Sequence, residues 1–144
     1  DYDYMGLNSK NVNSFLFFLL KKYKKQIIIT SGFKKISILE EIIKSNFIKK
    51  TNNFHHKLYK SKVIFFKNLD FRDLEQFVKK CKILIACEGA ISHVSNSLNV
   101  PSVILIQKNR EQTALFWTGH MSLINRIYRS PIKNVIKQIN KIKL

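Results

Sequence analysis

Residues 83–106 read ILIACEGAISHVSNSLNVPSVILI, and the fold turns on this stretch. It opens on an apolar run, Ile83, Leu84 and Ile85, and closes on another, Val103, Ile104, Leu105 and Ile106. Neither run alternates with polar residues, which is the pattern of strands covered on both faces by helices. Between them come an acid and two small residues, Glu88, Gly89 and Ala90, then a short helical segment over 91–98. Asn99 suits a left-handed stop before Val100 and Pro101. Strand, tight turn, short helix and strand form a βαβ unit, and a helical crossover implies parallel pairing.

The same alternation extends outward. Towards the N-terminus, spacing predicts a helix over 72–80 (Leu74, Phe77, Val78) with Asp70 as its cap, and a strand at Val63–Phe66. Further back come a helix over 36–45, a strand at Ile27–Thr30 closed by Ser31 and Gly32, and a helix over 11–23 ending in lysines. Residues 48–62 are polar and read as a loop that could hold a short helical piece. Towards the C-terminus, a polar loop and an aromatic pair, Phe116 and Trp117, precede a helix over 130–142. Phe116 and Trp117 are expected to pack that helix on the sheet. The expected fold is α/β, a Rossmann-like, doubly wound parallel sheet. With no linker or repeat, residues 1–144 read as a single domain.

The 144 residues can bury a real core. The longest early apolar run, Phe15–Leu20, is far short of the ~20 residues that cross a bilayer. No secretory-signal pattern occurs, so a cytoplasmic chain is expected. The chain begins at Asp1, so a processed chain or a fragment is expected. Its formal charge is +17, with 22 of the 26 basic residues being Lys. Drift towards AT-rich codons supplies Lys, Ile and Asn together. An anionic partner is the functional reading: nucleic acid, an acidic membrane surface or phosphorylated substrates. Four arginines and no nucleic-acid motif speak against nucleic acid, while docking on the inner face of an anionic membrane stays open. Cys81 and Cys87 match no redox or zinc spacing and read as buried free thiols.

In doubly wound sheets ligands sit beyond the carboxyl ends of the strands. That rule points to 88–93. Small residues there admit a ligand to the backbone, and the first amides of a helix attract phosphate. Ser92 and His93 would add side-chain donors, and Glu88 would accept from sugar hydroxyls. The same residues also suit a plain βα turn, with Glu88 as a cap and His93 a half-buried, satisfied side chain. Residue types alone leave both readings open.

The stretch resembles the C-terminal domain of family 9 glycosyltransferases, the lipopolysaccharide heptosyltransferase group. There an apolar strand leads into Asp-(Ser/Thr)-Gly-x-x-His, a short helix, a proline and a second apolar strand. Glu88 stands at the acid, Gly89 at the hydroxyl residue, Ala90 at the glycine, His93 at the histidine and Pro101 at the proline. The preceding LDFRDLEQFVKKCKILIA is similar to the family's helix leading into that strand. The resemblance runs over about residues 26–106. It implies one half of a GT-B enzyme and transfer of a sugar from a nucleotide sugar to a glycan or glycolipid acceptor. The donor-binding residues it implies are Glu88, Gly89, Ala90, Ser92 and His93, with Ser31 and Gly32 near the nucleoside. It implies no metal and no cofactor beyond the nucleotide-sugar substrate.

The chain departs from the family at several points. Glu replaces Asp, and Gly-Ala replaces Ser/Thr-Gly. Lys34, Lys35 and Ser37 occupy the region of an acidic ribose contact, so the nucleotide is unassigned. The family's opening strand is missing or reduced to 2–7. The N-terminal domain, which supplies the acceptor site and the usual base, has no counterpart, and no catalytic residue is assigned. A basic nucleic-acid module and a non-catalytic scaffold with this fold are the competing readings. Lys10, the pair His55 and His56, and the group Arg110, Glu111, Gln112, Trp117, Gly119 and His120 are weaker candidates.

Overall fold

The structure, a computed structural model, describes residues 5–31, 37, 40–41, 49–50, 55–58 and 63–143. It is α/β, with parallel strands in two small sheets. The chain divides into two compact units, Gly6–Leu74 and Glu75–Leu144, where the sequence reads as one domain.

In the first unit, helix α1 (Ser9–Tyr23) starts under a side-chain cap. The amide of Asn11 donates to Asn8 Oδ1 at 2.9 Å. The helix stops at Lys24, whose backbone is left-handed (φ 51°), with Lys21 and Lys22 at the negative end of the helix dipole. Strand β1 (Ile27–Thr30) pairs in parallel with β4 (Val63–Phe66). Buried Leu16 and Val63 centre a small core with Val12, Leu20, Ile27 and Ile29.

Two further strands correct the loop expected over 48–62. Strand β3 (His55–Leu58) pairs antiparallel with β4, and β2 (Lys49–Lys50) pairs antiparallel with β3. The sheet order is β1-β4-β3-β2, so the all-parallel expectation fails on this side. The sequence His-His-Lys-Leu carries no strand signal of its own; its register comes from β4. Of the helix expected over 36–45, Ser37, Glu40 and Glu41 are helical and the rest lies outside the described residues. Glu40 forms an ion pair with Lys67.

Helix α2 (Phe71–Lys80) begins as expected, with the Asp73 amide donating to Asp70 Oδ1 at 2.8 Å. There follow β5 (Leu84–Cys87), α3 (Ala90–Ser97), β6 (Ser102–Ile106), α4 (Glu111–Thr118), β7 (Ile124–Tyr128) and α5 (Ile132–Lys141). These strands form a parallel sheet in the order β5-β6-β7. Every residue of β6 is buried, as its unbroken apolar run requires of a central strand. On one face Ile104, Ile106 and Ile124 pack with Ala114 and Met121, flanked by Leu84, Ala86 and Tyr128. Asn99 is left-handed (φ 55°), as expected before Pro101.

Strand β7 and helix α4 occupy what read as a polar loop. Two polar residues of β7, Arg126 and Tyr128, have side-chain partners in the fold. Arg126 Nε donates to Thr118 Oγ1 at 2.9 Å, and the Tyr128 hydroxyl donates to Glu111 Oε1 at 2.6 Å. Gln138 of α5 pairs with β7's outer edge at Tyr128. It accepts from the Tyr128 amide at 3.0 Å and donates to the Tyr128 carbonyl at 3.1 Å. Phe116 and Trp117 do not pack α5 on the sheet; both are exposed. Among the described residues no helix is long and apolar enough to cross a membrane.

Candidate functional site

The site is built where β5 gives way to α3. The Glu88 amide donates to the Leu105 carbonyl at 3.1 Å, carrying the β5–β6 ladder one step past Cys87. The backbone then turns through Gly89 at φ 153°, ψ −169°. A Cβ there would meet nothing within 4 Å, so the backbone angle, not space, asks for glycine. Gly89 is the N-cap of α3, and no side chain caps the helix. The Ser92 amide donates to the Gly89 carbonyl at 3.0 Å. The amides of Ala90 and Ile91 have no acceptor within the helix, as at any helix start. Gly89 and Ala90 are exposed. An anion here would meet backbone N–H groups and the positive end of a helix dipole.

The side chains divide into two groups. His93 is exposed, not half-buried as a plain βα turn would have it. Its ring centroid lies 6.4 Å from that of His120, also exposed, just past α4. Glu88 is half-buried, and its Oε1 lies 3.6 Å from Arg129. Ser92 goes the other way. It is fully buried, and its Oγ has no hydrogen-bond partner among the described residues. Like Ser95, it is fully buried on a helix that packs on β5 and β6. Its part is packing, and its hydroxyl is not offered at the surface.

Arg129 was not legible in the sequence. It follows β7, and its Nε donates to the Leu105 carbonyl at 3.2 Å while its own amide donates to the Ile106 carbonyl at 2.8 Å. A guanidinium is thereby fixed over the carboxyl end of β6, beside Glu88. The signal that finds it is strand β7 itself, since a residue just past a parallel strand lies on the ligand side of the sheet.

Ser31 lies at the end of β1 in the first unit. Its amide donates to the Phe66 carbonyl and its carbonyl accepts from the Leu69 amide, both at 3.1 Å. Gly32, Lys34 and Lys35 lie outside the described residues. Lys10 is exposed on α1. His55 and His56 are neighbours along β3. Arg110 and Gln112 are exposed, while Glu111 is engaged by Tyr128. Cys87 is exposed at the end of β5, which corrects the buried thiol expected there. Cys81 is half-buried, and burial pushes its thiol above the usual range. Among the described residues no group of three or more His, Cys, Asp or Glu gathers to hold a metal ion.

Hydrogen bonds from two elements hold the turn that leads to His120. Thr118 Oγ1 donates to the Ala114 carbonyl and accepts from Arg126, which also binds the Thr118 carbonyl. Gly119 follows, and a Cβ there would lie 2.6 Å from the Leu115 carbonyl oxygen. The chain matches no family model, no curated protein and no solved structure.

Proposed function

We propose that this chain is the donor-binding half of a glycosyltransferase, moving a sugar from a nucleotide sugar to a cell-envelope glycan or glycolipid. The finer fold, a Rossmann-like doubly wound half of a GT-B enzyme, belongs to this proposal. So do action at the inner face of the membrane and completion by an N-terminal, acceptor-binding domain. The observation that carries it is the turn from β5 into α3, with Gly89 at positive φ, a helix start no side chain caps, and exposed His93.

In this reading the donor diphosphate lies against the amides of Ala90 and Ile91. His93 donates to a phosphate oxygen. Arg129 exchanges part of its contact with Glu88 for the phosphate, a charge-assisted bond suited to a guanidinium. Glu88, released in part, accepts from sugar hydroxyls. No group of this unit is assigned the proton transfer, which the reading gives to the acceptor-binding half.

Titration of the folded chain with nucleoside diphosphates and nucleotide sugars tests the proposal. At least one should bind. His93→Ala should then lose ~1.5–3 kcal/mol of affinity, about ten- to a hundredfold, the worth of a hydrogen bond to a charged group. A folded chain that binds none of them overturns the reading. Equal affinity in the variant removes His93 from the site.

A further inference from the structure

Helix α4 turns Ala114 and Thr118 inward and leaves large apolar side chains outside: Phe116 is 78% exposed, Trp117 59% and Leu115 45%. Leu123, in the turn after the helix, adds to them at 38%. Phe116 and Trp117 meet edge to face, ring centroids 5.3 Å apart, so each covers the other rather than the core. Consecutive exposed residues of this size on one short helix mark an interaction surface, not scatter.

Exposed cations stand at the start of this helix. Lys108 and Arg110 are exposed in the turn that leads into α4. Glu111 is the last acidic residue of the chain, and its carboxylate accepts the Tyr128 hydroxyl. After it come Arg126, Arg129, Lys133, Lys137, Lys141 and Lys143 with no Asp or Glu among them.

We infer that the outer face of α4 docks on an anionic lipid bilayer, with Leu115, Phe116 and Trp117 entering the interface and Lys108 and Arg110 meeting headgroups. Aromatic and aliphatic side chains beside cations are what the headgroup boundary accepts. A second copy of the chain would bring another +17 charge against this one. Nucleic acid would use the cations but give Leu115 and Leu123 nothing to pack on. The inference stands apart from the donor site and survives its failure.

Trp117 is the chain's single tryptophan, so its emission reports from the patch alone. The chain is mixed with vesicles of phosphatidylcholine, with and without phosphatidylglycerol. With the anionic lipid, emission should shift to the blue, brominated acyl chains should quench it, and added salt should weaken binding. Leu115→Ser with Phe116→Ser, which keeps Trp117 and alters only exposed positions, should weaken vesicle binding by about tenfold or more. Lys108→Glu with Arg110→Glu should do the same for anionic vesicles; circular dichroism confirms that both variants are folded. Unshifted emission with folded wild-type chain overturns the inference, whether or not the chain sediments with the vesicles. So does a lipid-independent shift that grows with protein concentration, which would assign the face to a second copy. A shift with oligonucleotides but not with vesicles would assign it to nucleic acid.

Discussion

Ser92 and His93 are neighbours in sequence, and the helix sends them to opposite fates. His93 is exposed, whereas Ser92 is sealed against the sheet side of α3 with an unmatched hydroxyl. An unsatisfied buried hydroxyl costs about 1–3 kcal/mol. Ser92→Ala is therefore expected to stabilise the chain by roughly 1 kcal/mol in urea unfolding, and to leave donor affinity unchanged. Loss of affinity would return Ser92 to the site. Tyr128 makes a second residue-level case. Its hydroxyl donates to Glu111, and losing that bond on ionisation, with burial and the nearby carboxylate charge, raises its pKa above the ordinary tyrosine value. The folded pKa lies above the unfolded one. The stability this contributes is thus fully present below the unfolded tyrosine pKa, and disappears as pH rises through the folded one. Glu111→Gln should lower the pH at which tyrosinate absorbance rises, and should lessen the alkaline loss of stability. Identical titration curves would show that the bond does not form.

The elements differ in how far the sequence disclosed them. β5, α3 and β6 were legible because apolar runs flank a turn of small residues, and burial of all of β6 follows from its composition. β7 was not, because Asn125 and Arg126 interrupt its apolar pattern, and the reason for Arg126 is Thr118 on another element. β3 was hidden for a different reason: its partner β4 supplies the backbone pairing that its side chains do not announce. Arg129 went unseen with β7, since its place beside Glu88 exists only once three strands are aligned. At this scale the end of α4 is a sharp test. A methyl group at Gly119 would collide with the Leu115 carbonyl, which is backbone and yields little. Gly119→Ala should cost roughly 1–3 kcal/mol, as overpacking does, read as a lower urea midpoint. A neutral substitution would mean that the α4 turn is looser than its hydrogen bonds indicate.

Taken whole, the molecule separates what its charge does from what its fold does. The +17 charge is spread over both units and selects no ligand by itself. At the carboxyl end of the β5-β6-β7 sheet the fold brings together a glycine turn, a helix start, His93 and Arg129, the place proposed to select the ligand. The strand, turn and helix that form that place were legible from 83–106 alone, but the burial of their side chains was not. Burial sorted Ser92 from His93, and the sheet brought Arg129 in. The most direct measurement is amide NMR of the folded chain titrated with a nucleoside diphosphate. The largest shifts are expected at Gly89, Ala90, Ile91 and His93, with the Arg129 side chain following. Saturable binding that leaves those amides unmoved and shifts others would contradict the account.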